Sequence, residues 1–139
     1  MAYNVLIVDD SATMRALIRK VLTISGFDIG EYFEGANGQE ALGVLEHNWV
    51  DIILSDIHMP GMDGTVLLKT LKDHKLWRNI PVVLITTESR PEVINPFLNL
   101  GVQDYIQKPF RPETIRKKLT GILGEAHKPD DSETESCDF

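Results

Sequence analysis

The sequence contains almost no cysteine and no long hydrophobic segment, and both absences restrict the class of protein. The single cysteine of the 139 residues is Cys137, so no disulfide can form within the chain, and a disulfide-stabilised secreted fold is disfavoured. The longest apolar runs, at residues 5–8, 52–54 and 82–85, are far too short to span a membrane. No charged leader followed by an apolar segment opens the sequence. We therefore expect a cytoplasmic protein without a membrane partner.

Basic charge is also scarce, and the acidic excess is unevenly placed. The formal net charge is −7 at pH 7, which argues against a nucleic-acid partner. Residues 125–139 carry six acidic residues and one lysine, so this segment accounts for −5 of the total. The hydrophobic fraction of 42% in a chain of this length is typical of one globular domain. The sequence thus predicts one domain over residues 1–124 and an acidic, disordered tail over residues 125–139.

Short apolar runs alternate with segments of helical periodicity along the predicted domain. Strands are expected near residues 5–8, 29–33, 52–54, 82–85 and 105–107. The first helix is expected to begin after Ser11, to end at Gly26 and to bury a face that includes Leu17. Later helices are expected over residues 39–47, around 66–71 with Val66 on the apolar face, over 92–100, and after Pro112. This alternation predicts a single doubly wound α/β fold, with a five-stranded parallel sheet and helices on both faces.

The fourth helix contains a proline that leaves two starts open. Asn95 and Pro96 suit the N-cap and the first helical position, which would give a late start. Ser89 and Glu92 have the spacing of a capping box, which would give an earlier start and a kink at Pro96.

Polar side chains capable of phosphate chemistry follow four of the five predicted strands. Asp9 and Asp10 follow the first strand and Asp56 the third, while Thr86 ends the fourth and Lys108 follows the fifth. The carboxyl ends of parallel strands meet at one edge of the sheet, where ligands bind in such folds. Three carboxylates together need a cation, and oxygen ligation suits Mg²⁺. A carboxylate nucleophile beside a metal, a lysine and a hydroxyl is a set of groups suited to phosphoryl transfer.

Two other functions use parts of the same set. A Mg²⁺-dependent aspartyl-phosphate phosphatase is one, but such enzymes need a second acid two residues after the nucleophile, where this sequence has His58. A pure interaction module is the other, and the complete polar set opposes it. The phosphate-binding motifs G-x-x-x-x-G-K-[ST] and G-x-G-x-x-G are both missing from the sequence.

Four motifs together resemble one family. They are VLIVDDSATMR at residues 5–15, ILSDIHMPGMDG at 53–64, VLITTE at 83–88 and DYIQKPF at 104–110. In this order and spacing they resemble the receiver domain of bacterial response regulators, and among receivers the stand-alone chemotaxis regulators. The resemblance implies a flavodoxin-like fold with strand order 2-1-3-4-5. It also implies a phosphoacceptor of a two-component system rather than an enzyme, with self-phosphorylation from a donor and slow autodephosphorylation. The function expected from the resemblance is in chemotaxis, and a phosphate relay intermediate not linked to motility is the alternative.

The resemblance assigns a role to each residue of the set. Asp56 would be the phosphoacceptor, Thr86 would contact a phosphoryl oxygen and Lys108 would pair with the phosphate. Mg²⁺ would be bound by Asp10 and Asp56, by the backbone carbonyl of His58, and with the assistance of Asp9. Thr86 and Tyr105 would form the switch, and the Lys108–Pro109 bond would be cis.

The partners follow from the same resemblance. A histidine kinase would be the phosphodonor. A downstream protein, the flagellar motor switch or another, would bind the fourth helix, fifth strand and fifth helix, and a phosphatase is a possible third partner. The basic run at residues 116–118 is expected to be a solvated helix face.

Overall fold

The computed structural model describes residues 2–56 and 64–124. In chain order the elements are β1 Tyr3–Val8, α1 Ala12–Ser25, β2 Ile29–Gly35, α2 Gly38–His47, β3 Ile52–Ser55, α3 Gly64–Asp73, β4 Val82–Thr86, α4 Pro91–Asn99, β5 Asp104–Gln107 and α5 Pro112–Leu119. A π-helical turn, Thr120–Gly124, continues α5. The predicted alternation of strands and helices is confirmed. The predicted tail and His58 lie outside the described residues.

The five strands form one parallel sheet in the order β2-β1-β3-β4-β5, as the resemblance implied. The registers align Val8 of β1 with Ser55 of β3, and Thr86 of β4 with Gln107 of β5. All four residues are the last of their strands, so the carboxyl ends of these strands lie at one edge of the sheet. From β1 the chain first adds β2 on one side and then β3 on the other, so the topological switch point lies between β1 and β3. Sheets of this kind bind ligands at that point.

Each strand contributes alternate side chains to two separate cores. Leu6, Ile53 and Leu84 pack beneath α2, α3 and α4, while Ile7 and Ile85 pack on the other face beneath α1 and α5. All five side chains are at most 2% exposed. Burial on both faces explains why the strands are continuous apolar runs instead of alternating ones.

The ends of α1 and α2 are set by local chemistry. The Ser11 side chain accepts a hydrogen bond from the backbone N–H of Met14, and Gly26 ends α1 in the left-handed conformation, with φ of 79°. Asn37 caps α2 in the same manner as Ser11 caps α1, by accepting from the backbone N–H of Glu40. The predicted limits of α1 are therefore confirmed.

Helix α4 begins at the earlier of the two possible positions. Pro91 occupies the start of the helix and Pro96 lies inside it, so the late start at Pro96 is wrong. The capping box is also absent, because Arg90 is the N-cap residue and makes no side-chain capping bond. Proline at the first position loses no helical hydrogen bond, whereas Pro96 lacks the N–H that would bond the preceding turn.

Two apolar side chains expected on buried helix faces are exposed. Leu17 of α1 is 46% exposed and Val66 of α3 is 47% exposed, whereas Leu68 of α3 is only 2% exposed. The sheet therefore covers only part of the apolar stripe of each helix. Among the helices of the described ranges, none is long and apolar enough to cross a bilayer.

Candidate functional site

Backbone hydrogen bonds between neighbouring strands fix the positions of the predicted site residues. The N–H of Asp56 donates to the Val8 carbonyl (3.0 Å), and the N–H of Lys108 donates to the Thr86 carbonyl (2.7 Å). The N–H of Asp9 donates in the same way to the carbonyl of Gly35 at the end of β2 (3.0 Å). These three residues, which follow β1, β3 and β5, therefore continue the hydrogen bonding of the sheet. Their side chains converge at one edge for this reason.

Three carboxylates lie together at this edge. One oxygen from each of Asp9, Asp10 and Asp56 lies within 4.8 Å of the other two. Asp9 is buried, Asp56 is half-buried and Asp10 is exposed. Oxygens bound to one Mg²⁺ lie at most ~4.2 Å apart, since each Mg–O bond is 2.0–2.1 Å. The three carboxylates therefore supply the hard oxygen ligands that suit a small cation, and side-chain movement has to bring them closer together to bind one.

Asp9 has the most perturbed environment of the three. Burial raises the pKa of the Asp9 carboxyl, and the negative charge of Asp56 raises it further. The backbone N–H of Ser11, which donates to Oδ1 at 3.0 Å, and the ammonium of Lys108 lower this pKa and only partly oppose burial. A dehydrated carboxylate of this kind gains from a metal ion, because the ion replaces the lost hydration.

The ammonium of Lys108 lies between two of the carboxylates. Its Nζ is 3.5 Å from Asp9 Oδ2 and 4.0 Å from Asp56 Oδ2, and the Lys108 side chain is 13% exposed. Lysine places a compact charge with three donors on a flexible stem. From this position the ammonium can turn from Asp9 toward an anion attached to Asp56.

Thr86 is one of the few buried polar residues, with 1% exposure. Its hydroxyl oxygen accepts a hydrogen bond from the backbone N–H of Glu88 at 3.0 Å. That bond uses an oxygen lone pair and leaves the hydroxyl hydrogen for a second bond. Thr86 can therefore donate to an oxygen near the carboxylates.

Tyr105 is half-buried and lies on the same face of the sheet as Thr86. It pairs in register with Leu84, two residues before Thr86, and packs against the core beneath α2, α3 and α4. Side chains two residues apart in a strand share a face. The Lys118 ammonium lies 5.9 Å from the centre of the Tyr105 ring and 3.0 Å from Asp104 Oδ2.

Two features of the site edge were not predicted from the sequence. The Arg15 guanidinium donates to the Asp9 carbonyl at 2.6 Å and to Glu34 at 2.9 Å, so it fastens the acidic loop to β2. Glu88 and Arg90 form a bidentate ion pair at 2.7 and 2.9 Å after β4. Arg15 of α1 reaches a neighbouring strand and a loop, the Glu88–Arg90 contact lies within one loop, and no periodicity in the sequence signals either of them.

The predicted set is thus assembled in the described part of the chain. Asp9, Asp10, Asp56 and Lys108 form one cluster, and Thr86 ends the strand beside it. The Lys108–Pro109 peptide bond is cis, as expected. The His58 carbonyl, proposed from the resemblance as a metal ligand, lies in residues 57–63, outside the described ranges.

Comparison with known proteins agrees with this architecture. The response regulator receiver domain family matches residues 5–120, and the chain belongs to this family. More particularly, it is a CheY-like receiver. It is 37% identical over 122 residues to a chemotaxis protein CheY homolog of Campylobacter jejuni, covering 87% of this chain and 92% of that protein. It is 36% identical to chemotaxis protein CheY1 of Helicobacter pylori, covering 87% of this chain and 97% of the relative.

Solved structures give the same fold. The chemotaxis response regulator CheY4 of Vibrio cholerae has a TM-score of 0.78 at 32% identity, covering 88% of this chain and all of that one. The receiver domain of the sensor histidine kinase PA1611 of Pseudomonas aeruginosa has a TM-score of 0.78 at 23% identity, over 89% and 99% of the two chains. That second structure has a magnesium ion in its active-site cleft. Receiver domains of this family are phosphoacceptors and not classical enzymes.

Proposed function

We propose that this protein is a CheY-like response regulator that accepts a phosphoryl group on Asp56 and signals through a protein surface, in chemotaxis. The observation that carries the proposal is the position of Asp56, half-buried at the end of β3 with the Lys108 ammonium 4.0 Å from its Oδ2. The family match and the chemotaxis relatives support it. The proposed location is the cytoplasm, where ATP charges histidine kinases.

The proposed reaction transfers a phosphoryl group from phosphohistidine of a kinase, or from a small acyl phosphate, to Asp56. A carboxylate oxygen of Asp56 forms the new P–O bond while the bond from phosphorus to the donor nitrogen or oxygen breaks, and the donor leaves with that electron pair. Lys108 pairs with the oxygens of the transferred group, and Thr86 donates its hydroxyl hydrogen to one of them. Charge stabilisation of this kind supplies most of the catalysis in phosphoryl transfer.

Mg²⁺ is the proposed cofactor, bound by Asp10 and Asp56 with Asp9 in support, and by the backbone carbonyl of His58. When bound, it neutralises negative charge on the transferring phosphoryl oxygens. Asp9 and Asp10 lie in the loop that follows β1. The hydrogen bond from Arg15 to the Asp9 carbonyl holds this loop, and with it the two carboxylates, in position. The cluster of carboxylate oxygens in the described structure supports this assignment.

The proposed output couples Thr86 to Tyr105. Movement of Thr86 toward the phosphoryl group vacates space on the face that Tyr105 shares, and the Tyr105 ring turns inward. Moving such an equilibrium from 1:99 to 99:1 needs ~5.5 kcal/mol, whereas one hydrogen bond to a charged group supplies ~1.5–3 kcal/mol. Lys108 must therefore contribute to the shift as well. The proposed docking surface for the downstream partner is α4, β5 and α5.

The decisive test is the site of phosphorylation. Incubation with acetyl phosphate and Mg²⁺ should add one phosphoryl group, detected by intact mass, and Asp56→Asn should abolish this addition. Asp73→Asn, an exposed aspartate at the end of α3, is the matched control and should be labelled like the parent. Undiminished labelling of Asp56→Asn would refute the assignment. Turnover of generic phosphate esters would instead indicate a phosphatase.

A further inference from the structure

The end of α5 is basic, and the residues that follow it are acidic. Residues 111–124 contain four basic residues and one acidic residue, a net charge of +3, whereas residues 125–139 contain six acidic residues and one lysine. The described structure ends at Gly124, immediately after the π-helical turn that continues α5. Opposite charges therefore meet at the point where the chain leaves the domain.

An open groove of about 630 Å³ lies between β5 and α5 at this end of the domain. Its lining includes Lys117 and Lys118 of α5 and Asp104 of β5, together with Gly121 and Ile122 of the turn. Lys117 is exposed, and 34% of the Lys118 side chain is exposed even though its ammonium bonds Asp104. The groove thus begins at the residues from which the acidic segment departs.

We propose that the acidic segment 125–139 binds weakly in this groove of its own chain, with its carboxylates paired to Lys117 and Lys118. Fifteen residues reach up to ~50 Å when extended, at 3.3–3.6 Å each, so the groove is well within range. Attachment to the same chain gives an effective concentration on the order of millimolar. At that concentration the bound state is half populated when the segment binds the groove with a millimolar dissociation constant, which requires several charge pairs to act together.

A second groove, between α1 and α5, is a poorer site for the segment. It includes Lys117 as well, but its other charged residues are Arg116 and Glu113. The Arg116 guanidinium already donates to the Ser25 carbonyl at 3.3 Å. Asp104 is neutralised by its ion pair with Lys118, whereas the Glu113 carboxylate forms no such ion pair within the described residues and repels acidic side chains. Both grooves are nevertheless lined by two basic residues and one acidic residue, so the preference for the groove between β5 and α5 rests on proximity, because its lining includes Gly121 and Ile122 next to the start of the segment.

Occupation of this groove affects the output surface. Lys118 lies 5.9 Å from the Tyr105 ring centre, and β5 and α5 belong to the proposed docking surface. The bound segment therefore competes with a downstream partner and weakens its binding at low ionic strength. This consequence rests on the proposed function, whereas binding of the segment itself requires neither phosphate nor metal.

The single cysteine offers a direct test in the full chain. A nitroxide attached to Cys137, which is the one cysteine in the sequence, broadens amide signals of residues close to it in a ¹⁵N-labelled, unphosphorylated protein. At low salt we expect selective intensity loss at Gln103, Thr114 and Gly121, which line the groove. The loss should largely disappear near 1 M NaCl, where the Debye length is ~3 Å.

Three variants and one mixing experiment make the test specific. Lys117→Gln with Lys118→Gln should remove the selective loss, whereas Lys69→Gln, an exposed lysine on α3, should preserve it. Replacing Asp130, Asp131, Glu133 and Glu135 by their amides should also remove it without altering the described fold. Uniform broadening, broadening centred on the groove between α1 and α5, or equal broadening when only an unlabelled partner copy carries the nitroxide would each overturn the proposal. Failure of Asp56 phosphorylation would leave all these outcomes unchanged.

Discussion

The backbone N–H of Glu88 donates to the hydroxyl oxygen of Thr86 at 3.0 Å. This bond holds the Thr86 side chain against the loop that leads into α4. The bond leaves the Thr86 hydroxyl hydrogen to donate toward Asp56, so a movement of Thr86 in that direction also draws on the loop. The proposed signal therefore reaches α4 through Glu88 as well as through the space beside Tyr105.

Thr86→Ala separates phosphorylation from its structural response. The variant should still accept a phosphoryl group from acetyl phosphate, because Asp56 and Lys108 are unchanged, but the amide signals of α4 and β5 should no longer shift on phosphorylation. Thr86→Ser, which keeps the hydroxyl, is the control and should retain most of the shift. Shifts in Thr86→Ala as large as in the parent would show that the hydroxyl is not the coupling group.

The ion pair between Glu88 and Arg90 should make the Glu88 carboxyl titrate at a lower pH than an ordinary glutamate. Hydrogen bonds from Arg90 lower the pKa of the Glu88 carboxyl from its ordinary value of 4.5 to about 2. Because the folded-state pKa is lower than the unfolded one, the pair stabilises the fold above pH 4.5, and this contribution is lost as the pH falls toward 2. NMR titration of the Glu88 carboxyl carbon should give a midpoint well below 4.5. Arg90→Gln should return the midpoint toward 4.5, and an unchanged midpoint would contradict the assignment.

Magnesium should stabilise the folded protein through the three carboxylates. At 100 times the dissociation constant, binding to the folded state alone adds ~2.7 kcal/mol to the free energy of unfolding. Urea denaturation with and without Mg²⁺ measures this gain, and Asp10→Asn should reduce it. The control Asp73→Asn removes a carboxylate distant from the cluster and should leave the gain intact. An equal gain in Asp10→Asn and the parent would exclude Asp10 as a ligand.

Pro96 should weaken α4. Replacing this exposed residue by alanine restores an N–H donor to the helix interior and should raise the free energy of unfolding by ~1–3 kcal/mol. Pro91→Ala is the matched control: proline suits the first helical position, and the change should stay within ~0.5 kcal/mol. Thermal or urea denaturation gives both values. A loss of stability in Pro96→Ala would show that the ring makes packing contacts that outweigh the missing bond.

The strands and the composition of the site were predictable because both depend on patterns along the sequence. Runs such as residues 5–8 and 82–85 are apolar on both faces, and this is characteristic of a central parallel strand. Once the strands are parallel, the residues that follow them must meet at one edge. Asp9, Asp56 and Lys108 therefore follow from strand order, and the motif resemblance supplied their expected roles.

Contacts that depend on three-dimensional placement were not predictable. Leu17 and Val66 belong to the apolar stripes of their helices and are nevertheless exposed, because the 3.6-residue period does not encode which edge of a stripe the sheet covers. The sequence offers Ser89 and Asn95 as possible N-cap residues of α4. The helix instead begins at Pro91 after Arg90, which makes no side-chain capping bond. The ion pair of Glu88 with Arg90 is a loop contact, and nothing in the residue spacing distinguishes it from two solvated charges.

Asp9 and Lys108 lie 99 positions apart in the sequence, yet their side chains meet at 3.5 Å. A chain emerging from the ribosome therefore has its acidic residues long before it has the ammonium that lies between them. Until β5 docks beside β4, the carboxylates repel one another without this counter-charge. The balance of charge at this edge of the sheet therefore depends on the docking of β5, the last strand of the described sheet.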